Sequence, residues 1–135
     1  TSWEANGTKI SLGPNTAIYY LQQQFPLSAE KFIDETLLDS SPAISVITEI
    51  ELLCWKTDSE KDLIVLRDFI HDAQVLELEK AIKLKTAEIR KAHKIKLPDA
   101  IIAATALAHD FTLLTRNVKD FKHIEGLSLI NPYEK

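Results

Sequence analysis

Leu97-Pro98-Asp99-Ala100-Ile101-Ile102-Ala103-Ala104-Thr105-Ala106, followed by Thr112-Leu113-Leu114-Thr115-Arg116-Asn117, decides the fold class of this 135-residue chain. Pro98 suits the first turn of a helix, where its missing N–H costs nothing. Asp99 beside it complements the positive end of the helix dipole. Ala100, Ala103, Ala104, Ala106 and Ala108 carry little side-chain bulk, so this helix can lie close against a sheet. Residues 112–115 read as a short buried strand behind it. A helix that is apolar nearly all round belongs inside a layered domain, and its acid leads toward the sheet's edge.

Two segments upstream repeat the arrangement. Residues 9–12 form a strand candidate ending at Gly13-Pro14, and Asn15 or Thr16 can cap a helix that runs through Ile18, Tyr19 and Leu21 to Phe25-Pro26. Pro42-Ala43-Ile44-Ser45 reads as a compact strand feeding a helix over residues 47–55. Between and beyond these lie a helix from Ser28 with Phe32, Ile33, Leu37 and Leu38 as its stripe, and an amphipathic helix over 61–71. A strand over 74–78, a helix over 80–93 carrying Ile82, Thr86 and Ile89, and a last strand over 127–130 complete the pattern. Five short strands alternating with helices predict a three-layer α/β/α fold with a mainly parallel central sheet. Residues 1–8 are too polar for a signal peptide and read as a flexible N-terminal arm, which leaves 9–135 as one domain.

Composition narrows the function classes. With 45% hydrophobic residues the chain can bury a core, and no run of roughly 18 apolar residues offers a membrane span. Cys54 is the only cysteine, which excludes an internal disulfide framework and a cysteine zinc cluster, and a cytoplasmic location is the expectation. A net charge of −4 argues against broad nonspecific binding to duplex DNA. RNA stays open, because a local basic rim can act beside an acidic site.

In open α/β sheets, ligands collect outside the carboxyl ends of the strands. The polar residues expected there are those around the Gly13 turn, Ser45 to Glu49, Asp99, and Thr115 to Asp120. Glu49 falls in the first turn of its helix and can reach the sheet's edge; the plain alternative is a carboxylate that complements the helix N-terminus. Glu51 is its neighbour but points elsewhere on the helix. Asp99 has the same plain alternative. Thr115 can hydrogen-bond a carboxylate at the site, or simply end a strand. Several carboxylates converging on one point call for a cation, and Mg2+ or Mn2+ suits oxygen ligands. Such a cation can activate water and neutralise charge on a scissile phosphate, which is phosphodiester hydrolysis.

Nothing in the chain builds a Ser/His/Asp or Cys/His nucleophile set. His71, His93, His109 and His123 are scattered without metal-ligand spacing, and the three glycines are too dispersed for a phosphate loop. Lys91-Ala92-His93-Lys94-Ile95-Lys96 is basic and leads to Asp99; it is either a solvated helix end or a guide for an RNA backbone. Lys94, Lys96 and Arg116 are the candidates for that guidance, with Lys119 and Lys122 extending it.

Asn15 with Ile18-Tyr19-Tyr20-Leu21, then Ile44-Ser45-Val46-Ile47-Thr48-Glu49-Ile50-Glu51-Leu52, then Leu97-Pro98-Asp99 through Leu114-Thr115-Arg116-Asn117-Val118-Lys119-Asp120-Phe121, together resemble the PIN domain. Within that family the resemblance is to the VapC-type toxins of bacterial toxin–antitoxin systems. It implies an Mg2+- or Mn2+-dependent endoribonuclease that dimerises and is held by a small antitoxin protein. Glu49 and Asp99 match two acidic metal-site positions, and Asn15 and Ser45 match residues that support the site. The fourth acidic position falls at Asn117, with Asp120 as a stand-in. The implied catalytic set is therefore Glu49, Asp99, Asp120 and Asn117, with Glu49, Asp99 and Asp120 on the metal. The family carries Asp-Thr where this chain has Gly13-Pro14, so one ligand position is altered and impaired cleavage is the expectation. A catalytically degenerate domain that binds RNA or an antitoxin is the alternative. A receiver- or flavodoxin-type signalling domain is a third reading, but Gly13-Pro14-Asn15-Thr16 supplies neither its phosphoacceptor acid nor its phosphate loop.

Overall fold

Parallel strands need long crossovers, and the chain supplies helices for each of them. The computed structural model describes residues 9–37 and 42–132. In chain order these form β1 (Ile10–Leu12), α1 (Pro14–Leu21), α2 (Leu27–Thr36), β2 (Ala43–Ser45), α3 (Val46–Leu53) and α4 (Glu60–Asp72). Then come β3 (Gln74–Leu76), α5 (Lys80–Ala92), α6 (Leu97–His109), β4 (Thr112–Leu114), α7 (Val118–Phe121) and β5 (Leu129–Ile130). The expected arm, residues 1–8, and Leu38 of the second helix's stripe lie outside the described residues.

The five strands lie in the order β3-β2-β1-β4-β5, and every pairing is parallel. Strand order reverses between β1 and β4, which is where such sheets open a crevice for ligands. Successive residues of a strand point to opposite faces, and the core divides accordingly. Leu12, Ile44 and Leu114 pack with Ala17, Ile33, Leu52 and Leu66, from α1, α2, α3 and α4. Ala43, Leu76 and Leu113 pack instead with Ile82, Ile89, Ala100 and Ala103, from α5 and α6. Helices therefore cover both faces, which is the three-layer arrangement predicted from the sequence.

Ala100, Ala103, Ala104 and Ala106 have no exposed surface, so the small-residue face of α6 meets its neighbours closely. Ala108, in the last turn, is exposed, and Asp110 in a left-handed conformation (φ 59°) ends the helix. The start of α1 also differs from expectation. Gly13 is its N-cap and Pro14 its first residue, since proline's fixed φ pre-forms the first turn; neither Asn15 nor Thr16 caps it. β5 is shorter than residues 127–130. α7 has no sequence signal of its own, being a single turn anchored by buried Phe121.

Ser45 ends β2 and caps α3. Its Oγ accepts the Thr48 backbone N–H at 3.0 Å and donates to Thr48 Oγ1 at 3.2 Å, with both residues buried. Ser45→Ala removes a cap and strands the Thr48 hydroxyl, so a loss of about 1–2 kcal/mol is expected in urea unfolding. Exposed Ser128→Ala serves as the neutral control.

Candidate active site

The end of β1 and the end of β4 are tied by one bond: the Gly13 N–H donates to the Leu114 carbonyl at 3.2 Å. Gly13 has φ −70° and ψ 163°, an extended conformation open to any residue. A Cβ placed there meets only the Leu114 carbonyl oxygen, at 3.6 Å, which is ordinary contact. The backbone does not demand glycine at this point.

Gly13 forms one wall of a small cavity of about 70 Å³ that Asn15, Asp99, Thr115 and Asn117 also line. Five of the residues singled out from the sequence thus meet at the strand-order reversal. Asp99 faces a second, wider depression as well, of about 420 Å³, which it shares with Asp120, Arg90, Lys94 and Lys96. Lys94 and Lys96 are therefore beside the acids. Arg116 lies in a third hollow with Asn15, Tyr19, Thr115 and Asn117. Glu49 sits half-buried in the first turn of α3 and lines none of the three, and Ser45 is occupied by its capping bonds. No histidine lines these walls.

Hydrogen bonds fix the β4 side of the site. Thr115 Oγ1 accepts the Asn117 backbone N–H at 3.0 Å, which folds the chain back after the strand. Asn117 Nδ2 then donates to Asp120 Oδ2 at 2.7 Å. Asn117 and Asp120 are consequently one unit, in which the amide orients the acid at the first turn of α7.

Asp99 is the electrostatically strained member. Burial pushes its carboxyl above the usual aspartate range, and the negative charges of Asp120 and Glu51 push it further, while Lys96 opposes them. A cation at the site removes that penalty. The donors around the cavity are all oxygens or amides, which fits Mg2+ or Mn2+ held by one or two carboxylates with water and phosphate completing the shell. Among the described residues no three His, Cys, Asp or Glu side chains form a ready-made cage. The fit is to a weakly held ion, with the Gly13 wall lacking a donor.

The raised pKa has a definite sign. The folded protein keeps the Asp99 proton to higher pH than the unfolded chain, so this group lowers stability as pH rises from its ordinary 3.8 through the raised value. Asp99→Asn is therefore expected to raise the Tm of metal-free protein at neutral pH. The gap should close as pH falls below the ordinary aspartate value, a trend that calorimetry across pH checks.

Two contributors were hidden in the sequence, and a third was named there but set aside. Arg90 reaches the site from the last turn of α5, where its Nε donates to the Ile95 carbonyl at 3.2 Å; the only signal was its place just before the basic stretch. Glu51, set aside in the sequence as pointing elsewhere, is an α3 acid whose charge helps raise the Asp99 pKa. Tyr19 reads as part of an apolar helix stripe, yet it borders the hollow beside Arg116.

The sequence and the fold both resemble those of known proteins. The chain is 54% identical over 37 residues to Ribonuclease VapC1 of Rickettsia felis, a segment covering 27% of this chain and 28% of that protein. It is 28% identical over 129 residues to the tRNA(fMet)-specific endonuclease VapC of Salmonella typhimurium, covering 90% of this chain and 96% of that one. The fold superposes with a TM-score of 0.78 on a chain from the crystal structure of Rickettsia felis VapBC2 bound to a promoter DNA fragment. That pair is 26% identical and covers 92% and 98% of the two chains. The profile of the PIN domain family matches residues 15–127, beginning just past Gly13-Pro14. By sequence and by fold alike, the chain belongs to the PIN domain family.

Proposed function

We propose that this chain is a metal-dependent endoribonuclease of the VapC toxin type whose cleavage is impaired at Gly13. The observation that carries the reading is the pairing of half-buried Asp99 with Asp120 at the strand-order reversal, beside Arg90, Lys94 and Lys96. Acids alone would repel RNA. The adjoining cations draw its backbone in, and a divalent ion neutralises the acids.

Asp99 and Asp120 would hold Mg2+ or Mn2+, with Glu49 on α3 as the further acid that the family resemblance implies, and the ion would supply Lewis-acid stabilisation of charge on the phosphate. Asn117 keeps the Asp120 carboxylate turned toward the site. Thr115 fixes the β4 turn, and its hydroxyl keeps a proton to donate to phosphate or water. Lys94, Lys96 and Arg116 hold the RNA backbone on either side. The relatives of known structure are toxin–antitoxin complexes, which supports a small antitoxin protein as partner. A homodimer in the cytoplasm completes the proposal; no helix among the described residues is long and apolar enough to cross a membrane.

Manganese-dependent cleavage of a fluorogenic RNA panel tests the reading. Cleavage lost in Asp99→Asn and Glu49→Gln supports it. Cleavage that survives both substitutions assigns the activity elsewhere and overturns it. A second reading rests on Gly13 alone: a degenerate domain that binds RNA or antitoxin without cutting. Cleavage by the unaltered chain that Asp99→Asn abolishes excludes it.

A further inference from the structure

The hollow next to the acidic cavity has a composition unlike the rest of the site. It encloses about 230 Å³ and is lined by Asn15, Tyr19, Thr115, Arg116 and Asn117, three of which also wall the Asp99 cavity. The volume is several times the roughly 30 Å³ that one water molecule occupies. Its distinguishing feature is a cation–π pair: the Arg116 guanidinium carbon lies 5.3 Å from the centroid of the Tyr19 ring. The ring is held from its other neighbours by buried Phe25, edge-on at 6.0 Å and 81°. Tyr19 is thus a positioned aromatic and not a loose surface side chain.

We infer that this hollow is a subsite for one unpaired RNA base adjoining the scissile phosphate, with the Tyr19–Arg116 pair as its stacking platform. The inference rests on the ribonuclease reading above. Single-stranded RNA is read by stacking unstacked bases on aromatic rings and guanidinium planes, with hydrogen bonds to base edges. Tyr19 and Arg116 supply the planes. Asn15 and Asn117 supply side-chain amides that can donate and accept, although Asn117 already spends one donor on Asp120. The shared wall places a base in this hollow one step from a phosphate at Asp99. Arg116 then has a role beyond the backbone guidance expected from its charge.

Fluorescence anisotropy with labelled single-stranded RNA, in chelator so that no cleavage competes, tests the subsite. The probes are one short strand and a set of copies each carrying a single abasic site. At one position, base removal should weaken binding about tenfold or more. Tyr19→Leu and, independently, exposed Arg116→Gln should weaken the intact strand and make that abasic site nearly neutral. A structural role for Tyr19, or a charge role for Arg116, would weaken all strands alike and leave the abasic sensitivity intact; that result overturns the subsite. So does RNA binding indifferent to both substitutions, the outcome if a partner protein fills the hollow. If RNA binds and is cleaved without Tyr19-dependent base sensitivity, only the subsite falls. If no strand binds at all, the subsite falls, and manganese-dependent cleavage decides the ribonuclease reading separately.

Discussion

Gly13→Asp is expected to raise Mn2+ affinity by roughly 10–100-fold or more, the range lost when even supporting groups of a metal site are removed. The reason is local. Position 13 forms a wall of the Asp99 cavity, its φ is ordinary, and a Cβ there meets nothing closer than 3.6 Å. An aspartate therefore enters without backbone strain. It also takes the N-cap of α1, where no side chain now accepts a helix N–H, so capping favours the substitution. Its charge adds to the repulsion that already raises the Asp99 pKa, which works against stability in the absence of metal. The two effects separate on adding the ion. Metal-free Gly13→Asp should gain little or lose stability, whereas Mn2+ should raise its Tm far more than that of the parent. Thermal unfolding with and without Mn2+ reads both.

Leu114→Ala should produce the largest loss of stability, about 2–5 kcal/mol. Leu114 has no exposed surface and stands at the centre of the face that α1 to α4 cover, aligned with Leu12 on β1 and Ile130 on β5. Truncation leaves a void between the sheet and the helices that cover it, and a close-packed core refills such a void only in part. The same residue's carbonyl accepts the Gly13 N–H, so relaxation there also shifts the candidate site. Leu84→Ala on α5 is the contrast. That side chain is 62% exposed, and its loss should fall within about 0.5 kcal/mol. Urea titrations of the two variants check the pair.

The layered fold was legible because its signals are local. The Pro98-Asp99 helix start, the alanine face of α6 and the Ser45 cap each follow from a few neighbouring residues, and each forms an element within a residue or two of expectation. The start of α1 was misplaced because a polar side chain and a proline compete for the first turn, and proline's fixed geometry prevails. In the site, residues following a strand end were readable from position alone: Gly13, Asn15, Asp99, Thr115 and Asn117 meet in one cavity. Contributions from helix flanks were not. Arg90 and Tyr19 depend on how α5 and α1 turn about their axes, which tertiary packing sets. The choice between Glu49 and Glu51 depends on the same rotation of α3; Glu51 adds to the field at Asp99, behind burial and the charge of Asp120.

On the proposed reading, a metal-dependent nuclease centre at Asp99 is held back by one absent ligand at Gly13. Manganese-dependent RNA cleavage by the parent chain, Gly13→Asp, and Gly13→Asp with Asp99→Asn, each with a chelator control, is the decisive test. The predicted result is cleavage at least roughly tenfold faster in Gly13→Asp than in the parent. That gain should be abolished by chelator and by Asp99→Asn. Equal rates in the parent and Gly13→Asp, or no cleavage by either while both remain folded, would contradict it.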